Sequence, residues 1–395
     1  VLFRSDRARC GRRYVIVNSQ KGVYTHMKLV CSKSNLLTGL QVVSKAVPNK
    51  TTMSILECIL IDSTGGEIKL TANDMELGIE TIIEGEIAEK GIIALDAKIF
   101  LEIVRKLPDN DITITTDSNF KTTITCEKAK FNIIGKSGED FSYLPMIERN
   151  ESIVLSQYTL KEVIRQTIFS ISDNDNNKLM SGELFEINGE EMRVISLDGH
   201  RISIRKIHLK NSYPAKKVVV PGKTLNEISK ILGGDADKDV TIFFTDKHIV
   251  FEFENTTVVS RLIEGEYFKI DQMLSSDYET KVVIHKKELL DCIDRATLLI
   301  KEGDKKPIII NITDNSMELK INSTVGSMDE EIDIEKMGKD LMIGFNPKFL
   351  IDALRVIDDE TITIYLVNPK APCFIRDEEN NYIYLILPVN FTTVS

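Results

Sequence analysis

Apolar residues recur at three- and four-residue intervals in six stretches of the chain. Between these stretches, apolar and polar residues alternate one for one. The first spacing follows the 3.6-residue turn of an amphipathic helix, the second the two-residue repeat of a half-buried strand. One set of predicted helices covers residues 34–47 (SNLLTGLQVVSKAV), 159–171 (TLKEVIRQTIFSI) and 288–300 (ELLDCIDRATLLI), with starts 125 and 129 residues apart. Asn35 and Thr159 stand where their N-terminal caps are expected. The other set opens on Lys98 (KIFLEIVRKL), Lys223 (KTLNEISKIL) and Lys348 (KFLIDALRVI), 125 residues apart each time.

The alternating runs include residues 112–116, 121–126, 240–244, 249–253 and 361–366, rich in Thr, Ile, Val and Phe. Such runs read as antiparallel strands with one wet face. Acidic or glycine turns (Pro108-Asp-Asn-Asp, Gly233-Gly-Asp, Asp358-Asp-Glu) follow the second helix each time. A repeat of this length is a whole domain and not a solenoid unit. The chain is therefore expected to be α+β, with three tandem copies of one domain, each with two helices packed on antiparallel sheets. Boundaries are expected near residues 150 and 275, giving domains 27–150, 151–275 and 276–395. Residues 1–26 read as an extension outside the fold, with Met27 as the expected natural start.

Charge sharpens the repeat. In each second helix a carboxylate follows the opening lysine by four positions (Glu102, Glu227, Asp352) and a base by seven (Arg105, Lys230, Arg355). Two bases seven apart share one helix face. Taken as residues 33–45, 98–106, 161–165, 223–230, 286–301 and 348–355, the six helical segments hold 15 basic and 7 acidic residues, a net +8, whereas the remainder of the chain carries −18. A basic lining on an acidic body suits a polyanion held by sequence-blind phosphate contacts. A solvated face of mixed charge is the plainer reading of any one such helix, and threefold recurrence favours the lining.

Catalytic motifs are scarce. Gly135-Lys136-Ser137 and Gly222-Lys223-Thr224 imitate the end of a phosphate loop, but Lys130 and Lys217 stand where its first glycine belongs. Asp198, His200 and either Ser196 or Ser203 could be drawn as an acid–base set, yet a tight Asp-Gly turn explains Leu197-Asp-Gly-His-Arg better. Six scattered cysteines without ligand spacing point to reduced thiols, no zinc and a cytoplasmic protein. No metal, cofactor or membrane span is expected, since no apolar run approaches bilayer length.

From Met27 onward the sequence resembles the bacterial DNA polymerase III β subunits, the replication sliding clamps. The resemblance rests on MKLVCSKSNLL, SGELFEINGEEMRVISLDGHR (181–201), RLIEGEYFKI (261–270) and YIYLILPV (382–389). It implies a non-catalytic homodimer closed head to tail into a ring that encircles duplex DNA and tethers the replicative polymerase. DNA contacts are then expected from Lys50, Lys98, Asn174 and Lys178; the repeat adds Arg105, Lys161, Arg165, Lys223, Lys230, Lys348 and Arg355. It also implies a hydrophobic pocket for short peptides of polymerase, clamp loader and repair partners. The pocket wall would comprise Met180, Leu197, Gly199, His200, Arg201, Ile202, Phe268, Met273, Pro372, Leu385 and Leu387. The dimer contact would join Lys128, Lys130 and Phe131 to Leu298, Leu299, Asp329, Glu330 and Glu331 of the other copy. Phe268 replaces a common proline and Leu197 a usual threonine, and the tail 390–395 could lie across the pocket.

A scaffold that never encircles DNA is the main alternative, and a hydrolase centred on His200 a distant third. Retention on closed circular DNA, peptide binding without DNA retention, and loss of turnover in His200→Ala separate the three.

Overall fold

The computed structural model describes residues 26–142, 144–173, 177–301 and 306–391. Residues 1–25 of the proposed extension, Asn174 and residues 392–395 of the tail lie outside the described residues.

Six α-helices occur among the described residues, in three consecutive pairs: α1 (Lys33–Val43) with α2 (Ala97–Lys106), α3 (Gln157–Thr167) with α4 (Gly222–Ile231), and α5 (Lys286–Thr297) with α6 (Pro347–Val356). The caps differ from expectation. Ser32 and Ser156 are the N-caps, and their hydroxyls accept the amides of Asn35 and Thr159 at 3.1 Å. A capping oxygen precedes the amide it receives by two or three residues, so Asn35 and Thr159 are recipients and not caps. α1 also stops short of residue 47. A single 3₁₀ turn (Ser44–Ala46) follows it, and Val47 is extended because it precedes Pro48.

One lysine in each pair closes the second helix. Lys33, Lys161 and Lys286 donate to the carbonyls of Leu107, Leu232 and Ile357 at 2.5, 3.2 and 2.5 Å. Those carbonyls belong to the C-cap residues of α2, α4 and α6. A cation there satisfies an orphan acceptor and complements the helix dipole.

Leu36, Leu40, Phe100 and Val104 of the first pair are buried in one core with Leu29 of one sheet and Ile59 of another. The sheets then join the repeats. Strand Leu77–Ile83 pairs antiparallel with strand Thr256–Arg261, fusing strands of the first and second repeats into one nine-stranded sheet. Strand Arg201–Pro221 pairs in the same way with Tyr382–Ile386, fusing the second and third into a seven-stranded sheet. Two smaller sheets remain among the described residues, one of five strands in the first repeat and one of four in the third. Their outer strands, Ala129–Ile134 and Ser327–Asp333, are open edges.

Candidate functional site

The basic helix positions separate into three groups. Lys50, Lys98 and Lys178 are exposed and have no ion-pair or hydrogen-bond partner for their ammonium groups among the described residues. Arg105 pairs with Glu102, Lys230 with Glu227 at 2.8 Å, Lys348 with Asp352 at 2.6 Å, Arg355 with Asp294 at 3.2 Å and Lys223 with Asp74. Every one of these cations is half exposed or more and can turn to a phosphate. The pairs of Arg105 and Arg355, whose carboxylates are exposed as well, are worth little, whereas the largely buried Asp74, Glu227 and Asp352 hold their lysines more firmly. Lys161 and Arg165 are engaged elsewhere. Lys161 caps α4, and Arg165 bonds Glu162, the Val356 carbonyl and Asp358, tying the second repeat to the third. Sequence periodicity placed both on the basic face but could not show these long-range acceptors.

The Leu197–Arg201 segment is a turn with structural work to do. Asp198 Oδ1 accepts the amides of His200 and Arg201 at 2.9 and 3.1 Å, and Gly199 takes a left-handed φ of +88° that suits glycine. Arg201 is buried. It bonds Asp198 at 3.0 Å, Asp352 of α6 at 2.6 Å and the Phe169 carbonyl at 2.6 Å, with its guanidinium 4.5 Å from the centre of the Phe349 ring. His200 stacks on the same ring at 6.0 Å. The Ser196 hydroxyl donates to the Thr167 carbonyl and the Ser203 hydroxyl bonds Ser170. Both serines are buried and committed to these partners, so neither is offered to His200 as a nucleophile.

All eleven expected wall residues surround one cavity of about 500 Å³. Four segments supply them: the 3₁₀ turn Lys178–Ser181, the Leu197–Ile202 turn, residues 268–273, and the third repeat around Pro372 and Leu385. Leu197, Ile202 and Leu385 form a buried floor, while Met273 and Leu387 form an exposed rim. The Leu387 amide donates to the His200 carbonyl at 2.9 Å, which fixes the rim to the turn. An apolar cleft of this size with a few polar groups at its edge suits a short peptide with apolar side chains. Phe268 packs edge-on against Tyr267 at 5.5 Å. The segment carrying both is held by Asp271, which accepts from Arg193 at 2.9 Å. That hydrogen bond keeps the Asp271 carboxyl below its usual range. The tail takes another course as far as it is described: the Val389 amide donates to the Gly344 carbonyl at 2.9 Å, and Phe391 packs over Gly344.

The residues expected at a dimer contact lie at the two open edges. Lys130 and Phe131 are exposed on Ala129–Ile134, with Lys128 in the turn before it. Asp329, Glu330 and Glu331 lie on Ser327–Asp333; Glu330 is paired with Arg295 and Asp329 with Lys320 at 3.3 Å. Leu298 follows α5 and is 81% exposed, with Leu299 half-buried beside it. Among the described residues, no group of three His, Cys, Asp or Glu is placed to hold a metal ion. No described helix is long and apolar enough to cross a membrane.

Comparison with known proteins agrees along nearly the whole fold. The N-terminal, central and C-terminal domains of the DNA polymerase III beta subunit match residues 27–145, 154–269 and 271–390. A beta sliding clamp of Staphylococcus aureus is 33% identical over 374 residues, covering 92% of this chain and 99% of that protein. The crystal structure of a putative DNA polymerase III beta subunit from Eubacterium rectale superposes with a TM-score of 0.91 at 77% identity, covering 92% of this chain and all of that one. The sliding clamp of Bacillus subtilis superposes at 0.90 with 32% identity, covering 93% of this chain and all of that one. Three repeats joined by shared sheets, basic helix pairs and these matches lead to one conclusion: the chain belongs to the DNA polymerase III beta subunit family and is a non-catalytic DNA sliding clamp of the replicative polymerase.

Proposed function

We propose that two copies close head to tail into a ring around duplex DNA, each offering its five-stranded edge to the four-stranded edge of the other. The observation that carries this reading is the sheet arithmetic: the two open sheets together have nine strands, as many as the sheet that already joins the first and second repeats. The internal junctions also supply a register. Val258 faces Ile79 across the first junction, and Tyr384 faces Ser203 across the second. Phe131 occupies the position of Val258 and Tyr384 in its own sheet, and Met328 occupies that of Ile79. Phe131 then faces Met328, and Lys130 faces Asp329 of the other copy. Edge strands left bare invite pairing, and opposite charges select the right partner.

The test is a charge swap read by sedimentation. Asp329→Lys is expected to raise the dimer dissociation constant about tenfold, and Lys130→Asp in the same chain to restore it. Failure of the second change to rescue the first would contradict this register.

In the ring, twelve helices surround the DNA. Lys50, Lys98 and Lys178 supply phosphate contacts first, and Arg105, Lys223, Lys230, Lys348 and Arg355 exchange carboxylate for phosphate as the duplex slides. Lys161 and Arg165 add to the positive field while holding helices and domains in place. Weak contacts suffice because topology, not affinity, retains the DNA, and the acidic body limits adhesion elsewhere. The apolar cavity receives linear peptides of the polymerase, the clamp loader and other partners, with affinity concentrated in a few apolar anchors. The chain works in the cytoplasm, where its buried thiols stay reduced.

A further inference from the structure

The junction between the first and second repeats copies the peptide cavity in detail. Asp74 Oδ1 accepts the amides of Glu76 and Leu77 at 3.0 and 2.7 Å, as Asp198 does for His200 and Arg201. Met75 has φ +77° where Gly199 has +88°. The Arg261 amide donates to the Glu76 carbonyl at 2.9 Å, as that of Leu387 does to His200. Val259 pairs with Gly78 as Leu385 pairs with Ile202. Yet this copy encloses only about 80 Å³, against about 500 Å³ for the other.

Part of the difference is a side chain from the linker. Leu144, in the linker between the two repeats, lies where a side chain at Gly78 would have to stand, so even a Cβ there would overlap it. The linker is pinned by Asn73, whose Nδ2 donates to the Ser142 carbonyl at 2.6 Å. The recess therefore already holds a leucine followed by a proline. We propose that this junction is a second peptide recess, specific for a leucine in an extended segment, and that Leu144 keeps it shut against partner peptides. This rests on the peptide-binding reading of the larger cavity. A tethered leucine competes at the millimolar effective concentration typical of short linkers, which a free peptide in the micromolar range does not displace. The clamp thus presents one open peptide site per chain although its architecture repeats the site.

The test uses the full chain and an acetylated hexapeptide copying residues 144–149 (LPMIER). Fluorophores are placed singly at Met75→Cys and Met273→Cys, both on exposed rims, in a Cys10→Ser background. With Leu144→Gly, the reporter at position 75 should titrate at least tenfold more tightly than in the parent chain. Asn73→Ala releases the linker without removing the leucine and should give a smaller shift in the same direction, which covers a poorly folded glycine variant. An unchanged position-75 titration in both variants overturns the proposal. Silence of the position-273 reporter in the parent chain would instead refute peptide binding at the larger cavity, a separate failure.

Discussion

Glu183→Gln should stabilise this clamp in alkaline solution and do little in acid. Glu183 is fully buried in the second repeat, and neither carboxylate oxygen has a hydrogen-bond partner among the described residues. The adjacent Thr167 hydroxyl donates to the Val163 carbonyl at 2.7 Å. Burial pushes the Glu183 carboxyl up to about 8, with Thr167 pulling weakly the other way. A buried carboxylate without donors is costly, so the group stays protonated when folded. Because the folded state binds the extra proton, its contribution is fully present below the unfolded value of 4.5 and is lost as pH rises through about 8. The loss runs at about 1.4 kcal/mol per pH unit and totals about 5 kcal/mol. Denaturant unfolding of both proteins from pH 4.5 to 9 should show the gap opening over this window and levelling off above it. A gap independent of pH would mean that Glu183 ionises normally in the folded chain.

Arg201→Ala should cost about 3 kcal/mol, because it strips a buried cation from two carboxylates, leaving Asp198 without its counter-charge and Asp352 with only the exposed Lys348. Asp198 and Asp352 retain only 14% and 17% side-chain exposure, and the Phe169 carbonyl loses its donor as well. Asp352 lies on α6 of the third repeat and Phe169 in the second, so the same change loosens their junction. Peptide affinity should fall with stability, since His200 and Leu387 are positioned by this turn. Arg201→Lys keeps the charge but loses the planar fork and should recover only part of both. A cost under about 1 kcal/mol in calorimetry would show that the arginine is not the tie between these repeats.

Much of this architecture was legible in the sequence because helix and strand periods differ and the three copies reinforce one another. The stripes opening on Lys98, Lys223 and Lys348 all became helices, and the alternating runs became strands. What escaped was whatever depends on a distant partner. Nothing local announces that Lys161 reaches the Leu232 carbonyl, that Arg165 reaches Asp358, or that Lys223 reaches Asp74 across a junction. The cap residues Ser32 and Ser156 lie three positions before Asn35 and Thr159, because each helix begins ahead of its first apolar residue. The cavity wall came from family resemblance. Taken locally, Leu197 and Leu385 are ordinary strand residues, and only the shared sheet brings them together. The fusion of repeats through Leu77–Ile83 and Thr256–Arg261 had no local signal, since an inward-facing strand reads the same whichever neighbour it joins.

The most direct test of the central claim is retention on primed circular DNA after loading, measured before and after the circle is cut. A ring held by topology stays on the closed circle through gel filtration at moderate salt and runs off once the DNA is linear. Equal retention on both forms would mean ordinary surface binding, and would contradict a clamp that encircles its DNA.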